Sequence, residues 1–137
     1  MAEVSPSFHD GYMTGVAVGE DTATLSLKRA DGEAWQVRLT AVQALKMDDF
    51  RQGNIILSLE TFSSTLSDVA LIERLYEAPH PSVAPKYHDA HVQLISRKIA
   101  MIEGGEATLL ALTPSYGADL VALCGAVTCE LMPTNGS

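Results

Sequence analysis

Two short stretches carry the side chains best suited to chemistry, Phe8-His9-Asp10 and Tyr87-His88-Asp89. Each is an aromatic residue followed by an imidazole and a carboxylate, which are nitrogen and oxygen donors for zinc or iron. A metal centre would draw on His9, Asp10, His88 and His91, brought together if two halves of the chain met about a pseudo-twofold axis. The spacing works against this. Adjacent residues on a strand point to opposite faces, so His9 and Asp10 cannot both aim inward without a turn. His88 and His91 have the i, i+3 spacing of a helix, and the partner of an H-x-x-x-H pattern from His88 would be Val92. A local role fits better: the aromatic anchors the chain in the core, and the Asp accepts backbone N–H bonds at a turn while the His stays half exposed. No residue is assigned to catalysis and no cofactor is expected. His9, Asp10, His88 and Asp89 remain as candidate binding residues.

The surrounding chain reads mainly as strands. In "DTATLSL", Ala23, Leu25 and Leu27 share one face and Thr22, Thr24 and Ser26 the other, the pattern of a half-buried strand. The Asp-Gly of "ADGE" marks a hairpin turn, after which Trp35, Val37, Leu39 and Ala41 alternate with polar residues. "YMTGVAV" is the strand before them. "MDDFRQGN" reads as a solvated loop, pinned by Phe50 and turned at Gly53-Asn54, leading to a strand with Ile55, Leu57 and Leu59 inward. Then the period changes. Val69, Ile72, Leu75 and Tyr76 fall on one helical face and predict a helix over about 66–77, within 65–78. Thr65 and Asp68 would open it like a capping box, and Pro79 and Pro81 would stop it. Strand signals resume in "HVQLISRKIAMIE", "ATLLAL" and "LVALCGAVTCEL".

Laying "FHDG" over "YHDA" brings "ATLSL" near "ATLLAL" and "VRLTAVQAL" over "VALCGAVTCEL". The doubled motif therefore marks two related β-meander units, about 8–62 and about 87–131, with 133–137 a frayed tail. The expected fold is one mainly β (α+β) domain of about seven antiparallel strands with a single helix. The sheet would be curved, a sandwich or a partly open barrel. The last strand is apolar on both sides, with Val121, Leu123 and Val127 opposite Leu120, Ala122 and Cys124. Such a strand is either covered twice or part of an interface, which makes a homodimer an expectation.

Composition narrows the partners. The chain has 137 residues, 17 acidic against 9 basic side chains and a net charge of −8. That balance argues against nucleic acid and against an anionic membrane surface, and favours a basic protein partner. No basic n-region or apolar h-region opens the chain, so a cytoplasmic location is expected. Cys124 and Cys129, roughly 16 Å apart on an extended strand, read as buried thiols rather than a disulfide. Walker A, G-x-S-x-G, G-x-G-x-x-G and H-E-x-x-H patterns are absent.

From "SFHDGYMTGV" to "DDFRQGNIILSLETF" the chain resembles a group of small bacterial β-rich proteins of unknown function. In these, an aromatic-His-Asp precedes antiparallel strands and an f-x-x-G-N-I-I segment follows. The resemblance spans about residues 8–62. Some members are labelled toxin-immunity proteins, and the resemblance implies neither an enzyme nor a cofactor. The functional expectation is a non-enzymatic protein-binding or immunity-like module. The alternatives are a homo-oligomeric accessory protein and a small metal-dependent enzyme using the two His-Asp pairs.

Overall fold

The computed structural model describes residues 2–3, 6–64 and 69–133. Strands β1 (Ala2–Glu3), β2 (Tyr12–Val18), β3 (Ala23–Lys28), β4 (Ala34–Thr40), β5 (Ala44–Asp48) and β6 (Asn54–Phe62) come first. Helices α1 (Ala70–Leu75) and α2 (Pro85–Glu103) follow, then β7 (Thr108–Tyr116), β8 (Asp119–Cys124) and β9 (Ala126–Leu131). The protein is mainly β, and every strand pair is antiparallel. The sheet runs β5-β8-β7-β6-β2-β3-β4-β9, with β1 added beside β6.

The path is open, with β5 and β9 at its ends. Three residues join β4 to β5, and Gly125 alone joins β8 to β9. The β4·β9 ladder reaches Thr40↔Ala126, and the β5·β8 ladder starts at Ala44↔Leu123. Between them Gly125 N–H donates to Thr40 O and Gln43 N–H to Leu123 O, each at 2.8 Å. The two ladders are thus one ladder carried around a bend, with an extra residue on the β4–β5 side acting as a bulge. Ala41, at φ 50°, makes the corner. A Cβ at position 125 would stand 2.9 Å from the Ala41 Cβ, so only glycine lets the strands cross here.

Met13, Leu25, Leu27, Val37, Leu39, Ile56, Leu59, Leu110, Leu112, Leu120, Ala122 and Cys124 form one buried cluster, joined by Leu45, Met47, Val127 and Cys129. Every strand from β2 to β9 therefore contributes to one core. Outside it, Phe62, Leu109, Ala111, Val121 and Leu123 form a second layer beneath Ile72 and Ile102 of the helices. Arg74 donates to Asp119 and Lys46 to Glu77, both at 2.8 Å, which fastens the α1 end of this layer to β8 and β5. No helix among the described residues is long and apolar enough to cross a membrane.

Several expectations are corrected. The helix near 66–77 is present as α1, but Thr65 and Asp68 lie outside the described residues. Its packing face is Leu71, Ile72, Leu75 and Tyr76, whereas Val69 is exposed. "HVQLISRKIAMIE" is not a strand but most of α2. Pro85 stands at the first helical turn, where its missing N–H costs nothing. Ile95, Ile99 and Ile102, spaced i, i+4, i+7, pack toward the second layer. The two stretches consequently differ in their order of elements, and "VRLTAVQAL" and "VALCGAVTCEL" are partners across the bent ladder.

Strand β5 takes in Met47 and Asp48, the start of the expected loop. In β6, irregular pairing on either side of Ile56 turns Ile56 and Leu59 inward and leaves Leu57 exposed. In the last strand, the bend at Gly125 puts Val127 with the inner cluster while Val121 and Leu123 stay outside. The apolar face that suggested a homodimer is covered by the chain's own helices. Cys124 and Cys129 are free thiols, and the same bend brings both to the inner cluster.

Candidate functional site

The two His-Asp pairs have different structures. Phe8 is buried edge-on to Trp35, with ring centroids 6.2 Å apart. The next residues turn sharply: Asp10 has φ 62°, Gly11 N–H donates to Phe8 O, and Asp10 N–H donates to Ile56 O. His9 donates from Nδ1 to Leu57 O at 2.7 Å, and its Nε2 lies 3.5 Å from the Asp10 carboxylate. The first pair thus docks the chain onto β6, with Asp10 chosen for its tolerance of the left-handed conformation. Tyr87, His88 and Asp89 occupy the start of α2 instead. Tyr87 is 54% exposed, with Lys86 over its ring, so it anchors nothing in the core. His91, one turn on, donates from Nε2 to Tyr76 O and holds α2 to the end of α1. Among the described residues no three His, Cys, Asp or Glu side chains gather as metal ligands. His9, Asp10, His88 and His91 are not brought together.

A different constellation is brought together. Tyr12 lies opposite Lys28 on one side and opposite Ile55 on the other, and Ile55 lies opposite Tyr116. Directly opposite residues share a face, so Lys28, Tyr12, Ile55 and Tyr116 form a row across four strands on the outside of the sheet. The β5–β6 loop rises beside this row. It puts Phe50 into solvent and Arg51 over the Tyr116 ring, 6.0 Å from its centroid. Tyr12, Phe50 and Tyr116 are 44%, 46% and 51% exposed. Phe50 does not pin the loop. Between β2 and the loop runs a groove of about 380 Å3, lined by Tyr12, Met13, Thr14 and residues 50–53.

The loop is held by Asn54, the only buried polar side chain among the described residues. Its Oδ1 accepts from Arg51 N–H at 2.7 Å and from Ala118 N–H at 2.9 Å, and its Nδ2 donates to Met13 O at 3.1 Å. One amide thereby ties β2, the loop and the β7–β8 turn together. Gly117, at φ 84°, lies so close that any Cβ there would collide with the Asn54 amide. Asp49, at φ 57°, starts the loop.

The remaining titratable groups do not compete as a site. Burial pushes the Cys124 thiol up to about 11, so it is protonated at neutral pH, and Cys129 is pushed up for the same reason. Burial also raises the Tyr76 phenol. The Lys46 bond to Glu77 raises the lysine and lowers the carboxylate, on exposed groups that add little stability.

No family model, curated protein or solved structure matches the chain. The loop itself was legible in the sequence from "MDDFRQGN". Tyr12 was missed, because its place beside Tyr116 depends on the register of three strands.

Proposed function

We propose that the chain is a non-enzymatic protein-binding module of the immunity-like kind, and that its contact surface is the groove beside Tyr12, Phe50 and Arg51. The observation that carries this is the set of three solvent-facing aromatic rings near one arginine: Tyr116 lies under Arg51, and Tyr12 and Phe50 line the groove with it. Tyrosine and arginine dominate binding energy at protein interfaces, and aromatic residues are enriched there. The loop is held by the Arg51 N–H bond to Asn54, so binding would not have to order it first. The net charge of −8 favours a basic partner at long range, while the groove itself presents the opposite sign through Arg51.

A photo-crosslinking side chain at Phe50, in the cell that makes the protein, tests the reading. The expected result is one dominant protein adduct, absent when the crosslinker stands at exposed Val92 on α2. The purified partner should then lose about tenfold or more in affinity on Tyr12→Ala, with no change in melting temperature. Adducts of equal pattern at Phe50 and Val92, or none, would remove the groove as a contact surface.

A further inference from the structure

We propose that the free edge of β2, Thr14–Val18, takes up an extended segment of a partner protein as an added strand, with a carboxylate of that segment on Arg51. This rests on the protein-binding reading and names what the groove holds. Strand β2 pairs with β3 from Tyr12 to Val18, with a bulge at Thr14, but with β6 only at Tyr12 and Met13. Beyond that point no described residue pairs with its second edge. An unpaired edge is a template for another strand, and proteins usually block it with charge, proline or a covering element.

The open edges of β5, β9 and β2 differ in this respect. Strand β5 carries Lys46 and Asp48 and has α1 against it through the Lys46–Glu77 bond. Strand β9 carries Glu130 and is followed by Pro133. The β2 edge, Thr14-Gly15-Val16-Ala17-Val18, has neither charge nor proline, and Val18 is 67% exposed.

The groove meets this edge at its first residue, with Thr14 on one wall and Phe50–Gly53 on the other. Asn54 sets where it begins. Its Nδ2 occupies Met13 O, the carbonyl at which pairing with β6 ends, and its Oδ1 holds the loop through Arg51 N–H. An added strand would continue from there, as in other cases of strand addition, where backbone bonds give affinity and side-chain pockets give selectivity. Charge selects the occupant. No carboxylate lines the groove, and among the described residues Arg51 has no ion pair, while Lys28 stands next to Tyr12 in the row. An acidic group on the incoming segment would meet Arg51 in a charge-assisted bond, and its apolar neighbours would lie on Tyr12 and Phe50. A second copy of this chain fits less well, because its own Thr14–Val18 brings no carboxylate.

The test is selection of linear peptides from a displayed library on the immobilised full-length protein. Enriched peptides should share a carboxylate flanked by alternating apolar residues. Their binding should slow hydrogen exchange at Thr14–Val18. N-methylation of alternate peptide amides should weaken binding about tenfold or more, as should Arg51→Glu, a change at an exposed residue that leaves the fold intact. No enrichment, protection at another element, or indifference to N-methylation would overturn strand addition. A wild-type dimer with Thr14–Val18 already protected would assign the edge to a second copy and overturn it as well. A Phe50 adduct alongside any of these failures would preserve the protein-binding reading. Loss of the adduct too would remove both.

Discussion

Leu123→Asp is expected to abolish folding rather than to release a monomer from a dimer. Leu123 is wholly buried in the layer beneath the helices, and its cross-strand neighbours are Leu109 and Ala44. The substitution gives up roughly 1.5–3 kcal/mol of side-chain burial and adds a carboxylate with no partner, which costs several kcal/mol more. A domain of this size has about 5–15 kcal/mol in total. Leu123→Ala, costing about 2–5 kcal/mol, should remain folded at low temperature and serves as the control. Circular dichroism and light scattering read the result. A well-folded Leu123→Asp monomer from a dimeric wild type would mean that the helices do not cover this face.

Asn54→Ala is expected to lower stability by about 3–5 kcal/mol. It strands the Ala118 N–H and the Met13 carbonyl, both on buried residues, and each buried orphan costs about 1–3 kcal/mol. At the usual unfolding entropy per residue this is a fall in melting temperature of roughly 10 °C or more. Gly117→Ala supplies the internal check, since its collision partner is the Asn54 amide itself. Gly117→Ala should cost less in the Asn54→Ala background than in the wild type, although its strain at positive φ persists in both. Strict additivity of the two would show that the amide and the glycine do not touch. A melting temperature unchanged by Asn54→Ala would show that the amide does not tie the groove together.

What could be read from the sequence follows from how local each signal is. Ala23, Leu25 and Leu27 alternate within one strand, and the structure keeps them all inside. The mainly β, antiparallel class followed from several such stretches. Helix α2 was misread because "HVQLISRKIAMIE" can be parsed as alternating as well as helical, and the second His-Asp pair encouraged the first parsing. Pro85 and the i, i+4, i+7 spacing of Ile95, Ile99 and Ile102 were the contrary signals. The faces of "LVALCGAVTCEL" were misassigned past Gly125 because a bend resets the period-2 alternation. The groove was hidden for a different reason. Tyr12 and Tyr116 are far apart in the chain, and only the pairing of β2, β6 and β7 makes them members of one row. Asn54 looked like a turn residue, and its role depends on three backbone groups from three elements.

The ladder carried around the Ala41–Gly125 bend also bears on how the chain reaches its fold. Strands β2, β3 and β4 are joined by short turns and can pair early, since closing short loops costs little entropy. The bent ladder joins Thr40 to Ala126 and Ala44 to Leu123, so the whole of β6, both helices and β7 must be spanned before it forms. Such non-local pairing is slow. Until it forms, β4 and β9 each show the solvent an edge that the finished fold conceals. The expected transition state has β2–β4 formed and this seam open. Substitutions at Leu39 or Val127 should therefore speed unfolding more than they slow folding. The opposite partition would mean that the seam is the nucleus, and that the meander is completed around it.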